Sequence, residues 1–436
     1  ELGRIDEAEQ RYRNILSDTP DHADALHLLG VIACQRKDNP AAVSLFERAI
    51  AINPKEAAYY SNRGFALKAL RRFEDALEDC DRAIAIQPGY AAAHVNRGNA
   101  LLEMDRFDDA VAAYDAAIAI FPDDPNAHCN RANALRRLGR LDEALVACDR
   151  AIGLAPSLSG PWSNRGAVLH ALGRLDDALS SFDRALECVI GSRDTAGDQS
   201  AGEIYGDRAN VLRDMGRLDD ASENYARALN AQPDSPEALN NLGGLLRDTG
   251  RIEQAIECFD RALKHEPDLA YVIWNKALAL LLQGDFQRGL PLYEYRWKLE
   301  GASPGISASI PLWLGAESIV GRTILLHSEQ GLGDTIQFCR YAKLAAERGA
   351  KVLLEVQRPL VPLLRSIEGP IQVFAKGGAR PAFDCHCPLL SLPLALGTRL
   401  ESIPGESPYL KVDPARMDHW KSRLGERVRP RIGIVW

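Results

Sequence analysis

The chain has 436 residues, 46% of them hydrophobic and 26% charged, with a formal net charge of −8. That length accommodates two or three domains with a sizeable core. The acidic balance argues against a protein that lives on nucleic-acid phosphates, and the longest apolar run of the helical part, Ala277–Leu282, is far too short to span a bilayer.

From the N-terminus, prolines recur at Pro20, Pro54, Pro88, Pro122 and Pro156, then at Pro233 and Pro267, mostly at a period of 34. This is the tetratricopeptide period. Gly64, Gly98, Gly166 and Gly243 hold the small position of the first helix of each repeat. Ala76, Ala110, Ala144, Ala178, Ala221 and Ala255 hold that of the second. A larger side chain at either place would overpack the crossing of the two helices. Gly139, Gly173, Gly216 and Gly250 stand where a left-handed residue ends a helix. The spacing predicts a half repeat at 1–20, seven full repeats from Ala23 to Pro267 and a degenerate one to Trp297. An insertion at about 191–201, rich in Gly, Ser and Asp, reads as an exposed loop. Stacked repeats bury a continuous core and leave a concave face lined by the first helices. The nine cysteines are scattered, several at equivalent repeat positions, so they read as small buried hydrophobes in a reducing compartment, the cytoplasm.

Two columns run along the first helices. Arg63, Arg97, Arg131, Arg165 and Arg208 stand against Asp81, Asp115, Asp149, Asp183 and Asp260 of the second helices and read as ion pairs within or between repeats. Arg208 fits less well, its counterpart being taken as Ala226. Asn62, Asn96, Asn130, Asn164, Asn241 and Asn275 form the other column, with Asp207 breaking it. They are either helix–helix hydrogen bonds or a ladder of amides for the backbone of an extended polypeptide, since an amide both donates and accepts. The array resembles that of O-GlcNAc transferases, and the resemblance implies a peptide-binding role for these asparagines on the concave face.

Phe286, Tyr293, Tyr295, Arg296 and Trp297 close the array at 1–297 and are expected to cap its last repeat. A linker follows at 298–310, and Pro311-Leu312-Trp313 anchors the next domain. Strands are predicted at Thr323–His327, Lys351–Val356, Ile371–Phe374 and Phe383–Cys387, with helices at Asp334–Glu347, Pro359–Ser366 and Asp413–Leu424. That alternation predicts a parallel, doubly wound α/β lobe over 311–430, with ligands beyond the carboxyl ends of the strands. Residues 431–436 read as the first strand of a further lobe.

After the first predicted strand comes Gly331-Leu332-Gly333-Asp334. By spacing alone the two glycines permit a tight turn, Asp334 is an N-cap and Gln337 completes a capping box. The run from His327 to Tyr341, Asp384 with Pro388–Pro393, and Pro404 with Pro408-Tyr409-Leu410 resemble the first lobe of bacterial tetratricopeptide-repeat glycosyltransferases. The turn is also similar to that of heptosyltransferases, which share the two-lobed GT-B fold. The resemblance implies transfer from a nucleotide sugar, with Asp334 as general base, Gly331 and Gly333 shaping the substrate loop, and no cofactor or metal. His327 and Glu329 are the alternative bases, because a helix N-terminus favours the charged carboxylate and so weakens a base there. Arg340 and Tyr341 read as braces for the helix. The second lobe of such enzymes holds the nucleotide, so residues 1–436 are expected neither to bind a nucleotide sugar tightly nor to turn over. Cys385-His386-Cys387 and Asp79-Cys80-Asp81 read as buried strand residues and a repeat helix, with no metal implied. Three functions follow: a cytoplasmic protein glycosyltransferase whose array selects the polypeptide, a non-catalytic scaffold for protein partners, or a heptosyltransferase-like enzyme acting on a glycan. No membrane span or nucleic-acid partner is expected.

Overall fold

The structure is a computed structural model describing residues 2–191, 196–299, 301, 305–307, 309–405, 408–411 and 413–424. After α1 (Leu2–Asp18), antiparallel helix pairs follow in the predicted phase. They are α2/α3 (Ala23–Gln35, Asn39–Ile52), α4/α5 (Ala57–Ala69, Phe73–Ile86), α6/α7 (Ala91–Glu103, Phe107–Ile120) and α8/α9 (Pro125–Arg137, Leu141–Leu154). Next come α10/α11 (Ser159–Ala171, Leu175–Gly191), α12/α13 (Ala196–Asp214, Leu218–Ala231), α14/α15 (Pro236–Asp248, Ile252–His265) and α16/α17 (Ala270–Leu282, Phe286–Tyr293). Each turn inside a pair needs one left-handed residue. Gly139, Gly173, Gly216 and Gly250 supply it at φ 74, 72, 75 and 80°, whereas Lys37, Arg71 and Asp105 adopt it at 62, 60 and 55°.

The small residues of the first helices do the packing predicted for them. A Cβ added to Gly98 would lie 2.6 Å from Tyr114, and one on Gly166 2.8 Å from Phe182. In the repeats where Cys80 and Cys148 replace the aromatic, the slot is filled by a buried thiol. Burial pushes each of these thiols up to about 12.

The expected loop at about 191–201 is corrected. Gly191 belongs to α11, and residues 196–201 are helical in α12. The inserted residues lengthen two helices, 17 and 19 residues against 14 and 13 elsewhere, and Val189 is buried on the added turn. Residues 192–195 lie outside the described ones, as do 431–436 with their expected strand.

Two compact units are present, Glu1–Pro233 and Asp234–Trp436, so the division falls inside the array rather than at the 298–310 linker. In the first unit, successive first helices (α2, α4, α6, α8, α10, α12) touch one another more closely than successive second helices do. The first helices therefore line its inner side.

The second unit joins α14–α17 to a sheet of four parallel strands, β1 (Thr323–His327), β2 (Lys351–Val356), β3 (Ile371–Ala375) and β4 (Cys385–Pro388), in the order β3-β2-β1-β4. Ile324, Leu326, Val352, Leu354, Cys385 and Cys387 face a core closed by α18 (Leu332–Phe338), α19 (Tyr341–Glu347), α20 (Val361–Leu364) and α21 (Leu392–Ala395). Pro311 and Trp313 hydrogen-bond along the free edge of β4 through His386, anchoring the module as expected. The helix predicted over Asp334–Glu347 is two helices, because the chain tightens at Cys339, whose carbonyl takes the Ala342 N–H at 2.9 Å. A last helix, α22 (Pro414–Leu424), is exposed throughout.

Candidate functional site

In a parallel sheet of this order the chain reverses direction of winding between β1 and β4, and the crevice beyond their carboxyl ends is the usual ligand position. The loop 328–334 leaves β1 there. Gln357, just after β2, holds it from both sides: its amide donates to Gln330 O at 2.7 Å, and its Oε1 accepts from Thr335 Oγ1 at 2.9 Å.

Asp334 is not the N-cap predicted for it. The helix starts one residue after Gly331, so Asp334 occupies the third position, and its Oδ2 accepts the Gly331 N–H at 3.2 Å. Gln337 therefore forms no capping box; its carbonyl accepts from Arg340 Nε at 2.8 Å. The carboxylate of Asp334 is half-buried, and Gly331 and Gly333 are exposed with little around their α-carbons. A strand end, an open glycine loop and a carboxylate in the first helical turn thus stand together as the sequence arranged them.

The two alternative bases are elsewhere engaged. His327 is 3% exposed and its Nε2 lies 3.1 Å from His386 Nδ1, an imidazole pair buried between β1 and β4. Burial, reinforced by His386, drives His327 down to about 3, so it is neutral at physiological pH. Beside it Glu355 is 1% exposed and receives both arms of Arg380 at 2.9 Å. Among the described residues no three His, Cys, Asp or Glu side chains cluster as a metal site.

Glu329 turns toward the end of the array. Its Oε2 receives Arg296 Nε at 3.0 Å and its Oε1 the Leu390 N–H at 3.0 Å. Arg296 also donates to Glu294 Oε1 and to Ser391 Oγ, both at 2.7 Å, and Ser391 Oγ donates on to Glu294 Oε2 at 3.0 Å. Burial pushes the Glu329 carboxyl up, opposed by Arg296. Tyr293 and Trp297, expected to shield the last repeat, also lie against the Arg296 guanidinium, at 4.7 and 4.6 Å. Glu294 was not singled out from sequence, and His386 and Ser391 were read only as parts of Cys385-His386-Cys387 and of the Pro388–Pro393 run, because their partners His327 and Arg296 lie 59 and 95 residues away.

Other parts of the resembling pattern also have structural work. Asp384 Oδ2 accepts the Thr323 N–H at 2.7 Å, fixing the start of β1. Arg340 lies over the Tyr409 ring at 4.3 Å and donates to Pro404 O, the bracing expected of it. A cavity of about 230 Å³ lined by Arg340, Lys343, Glu368, Tyr409 and Lys411 does not include Asp334, and its Lys411 is paired with Glu368 at 2.5 Å.

On the first helices the amide column joins consecutive repeats. Asn96 Nδ2 donates to Ser61 O and Oγ, Asn130 to Asn99 Oδ1, and Asn164 to Cys129 O, at 2.9 to 3.1 Å. Asn62 Nδ2 lies 2.7 Å from His27 Nε2. Among the described residues no donor reaches Oδ1 of Asn62, Asn96, Asn130 or Asn164. Asn275 is engaged at both ends, donating to Asn240 and accepting from Arg247, and Asn241 accepts from Asn240. In the arginine column Arg63 pairs within its repeat, with Asp79 at 2.6 Å, while Arg97–Asp81, Arg131–Asp115 and Arg165–Asp149 join consecutive repeats at 2.6 to 2.8 Å, each 16 residues apart. Arg208 joins it, reaching Asp183 at 2.9 Å over 25 residues because the insertion intervenes.

The sequence profile of the tetratricopeptide repeat matches residues 1–159 and 207–305 in overlapping segments, and a second tetratricopeptide repeat profile matches 157–234. The chain belongs to the tetratricopeptide repeat family. Among curated proteins it is 29% identical to Protein FlbA of Caulobacter vibrioides over 197 residues, 38% of this chain and 31% of that protein. It is 38% identical to the inactive TPR repeat-containing thioredoxin TTL3 of Arabidopsis thaliana over 65 residues, 15% of this chain and 9% of that one. The chain thus spans less than a third of either relative. Among solved structures, the APC/C hetero-tetramer Cut9-Hcn1 is similar over 63% of this chain and 52% of its own, with a TM-score of 0.53 and 14% identity, a likeness of fold. The tetratricopeptide repeat array is a scaffold of the kind that binds protein partners, and no described helix is long and apolar enough to cross a membrane.

Proposed function

We propose that this protein is a protein glycosyltransferase: the array selects a polypeptide, and the α/β module, as the acceptor half of a GT-B-like enzyme, transfers a sugar to one of its side chains. The observation that carries the reading is the position of Asp334, a half-buried carboxylate in the first turn after β1, at the carboxyl edge of a parallel sheet. His327 and Glu329 are buried in other contacts and leave it as the base. The acceptor hydroxyl oxygen attacks the anomeric carbon of a nucleotide sugar, the bond from that carbon to the diphosphate breaks, and the hydroxyl proton passes to Asp334. A general base contributes about 10²–10⁴-fold. The diphosphate departs on a donor-binding lobe, and no metal takes part. The compartment is the cytoplasm, in keeping with nine free cysteines.

A scaffold without catalysis is the second reading, favoured by the bond from Asp334 to Gly331 N–H, which by itself accounts for a carboxylate at that place. Asp334→Asn separates the two, because the amide oxygen still accepts that N–H. The full-length protein is incubated with labelled nucleotide sugars and cell extract. Loss of labelling by about two orders of magnitude with an unchanged melting temperature supports transfer. Labelling equal to that of the unaltered protein would remove Asp334 from the chemistry, and no labelling by either would favour the scaffold.

A further inference from the structure

Six residues beyond the asparagine column, three successive first helices of the first unit carry a basic side chain: Arg136 on α8, His170 on α10 and Arg213 on α12. Two of them are answered by the array itself. His170 Nε2 is 2.7 Å from Asp214 Oδ2, and Arg213 Nε is 3.6 Å from Asp214 Oδ1. Arg136 is not. Its neighbour Arg137 takes Asp105 at 2.8 Å, and among the described residues no carboxylate lies within ion-pair distance of Arg136. Its single hydrogen bond runs from Nη2 to Asn133 Oδ1 at 3.0 Å, and its Nε is buried with no partner at all.

A guanidinium carries five N–H donors in a rigid fork that matches a carboxylate, and a buried donor without a partner is costly to keep. The arginines of the neighbouring column, Arg97, Arg131, Arg165 and Arg208, are each matched to an aspartate. Arg136 stands out against that pattern on the inner side of the first unit. Two acceptors on the same and the next first helix are open, since the Oδ1 atoms of Asn130 on α8 and Asn164 on α10 receive nothing from the described residues.

We propose that Arg136 is a binding site for the carboxylate of an Asp or Glu side chain on an extended polypeptide lying along the first helices, with Asn133 fixing the guanidinium and Asn130 and Asn164 accepting backbone N–H groups of that polypeptide. The proposal rests on the array's binding a polypeptide and names the side-chain class it selects. Arginine binds such a carboxylate better than lysine, whose point charge lacks the fork.

The probes are fluorescein-labelled alternating Glu-Gly and Gln-Gly peptides, titrated by anisotropy into the full chain at low and high salt. The Glu-Gly peptide should bind at least about tenfold more tightly than its Gln counterpart, and Arg136→Met should remove about tenfold of that affinity, the scale of one charged hydrogen-bond pair. Arg136→Lys should keep part of it, and Arg150→Met, outside the stripe, should change nothing. Arg136→Met should melt at or above the temperature of the unaltered chain, because it removes an unpartnered buried donor. Equal binding of the two peptides, or unchanged binding by Arg136→Met, overturns the site. A lower melting temperature with unchanged binding makes Arg136 structural and overturns it too. Neither result touches the Asp334→Asn labelling comparison, so the two failures are told apart.

Discussion

The imidazoles of His327 and His386 meet inside the sheet, and that contact makes the α/β module acid-sensitive. An unfolded histidine titrates near 6.5, while burial holds His327 at about 3 and pushes His386 down as well. Between those values the unfolded chain binds a proton that the folded chain refuses, so stability is lost as pH falls. The slope reaches about 1.4 kcal/mol per pH unit for one such group. Urea unfolding followed by amide exchange of β1 should give a lower midpoint at pH 5 than at pH 7, and His327→Asn should flatten the difference. Equal slopes for the two proteins would show that the pair does not govern it. His327 was legible in the sequence as a histidine at a strand end, which made it a candidate base. What was hidden is its partner 59 residues on, because register between β1 and β4 is a property of the folded sheet.

Among the elements, the helical pairs were legible because a period of 34 repeats the same packing decision many times, and each repetition confirms the last. The slot between first and second helix shows the decision most clearly. Gly98→Ala places a methyl 2.6 Å from the Tyr114 ring, which is fully buried and held through its hydroxyl to Asn99. It should cost about 1–3 kcal/mol, the usual penalty of overpacking, read as a lower thermal midpoint. Lys37→Gly runs the other way. Its φ of 62° is the left-handed turn that glycine fills in five other helix pairs, Gly284 included at 85°, so relief of the side-chain strain should raise stability by about 1 kcal/mol; an unchanged midpoint would mean the turn is already relaxed. The ion-pair column was legible within or between repeats, and only Arg208 was given a neighbour that does not pair with it. Arg208 was set against Ala226, whereas Arg97, Arg131 and Arg165 pair 16 residues back, with the second helix of the preceding repeat, and Arg208 likewise reaches back to Asp183, 25 residues away across the insertion. At that spacing the sequence sets Ala226 against Leu242, so the charge is dropped from both places together. Capping was misread for a related reason: Gly331 opens the helix where a side-chain cap was sought, and spacing alone does not say which residue of Gly-x-Gly-Asp begins it.

At the scale of the whole molecule, composition locates a linker at 298–310, yet the last repeats and the sheet belong to one compact unit. What joins them is chemical and long-range. Arg296 reaches Glu329 over 33 residues and Ser391 over 95, and Glu294 closes the ring. No periodicity announces such contacts, and Glu329 read alone suggests catalysis rather than a tie. The side chains of Arg296 and Glu329 are 7% and 5% exposed, so Arg296→Met would strand two carboxylates in the interior. Breaking a buried pair from one side costs about 3–5 kcal/mol. The loss should be shared by α16, α17 and the loop 328–334, which the network ties together, and should spare α2–α9. Hydrogen exchange read segment by segment checks both points. Adding Glu294→Gln and Glu329→Gln to Arg296→Met should restore part of the stability, because neutral amides need no counter-charge. Should the loop loosen while α16 and α17 keep their protection, the network would be a local clasp. If they loosen together, the array and the loop bearing Asp334 are held by one device, and a polypeptide bound near the end of the array would meet that loop in a fixed position.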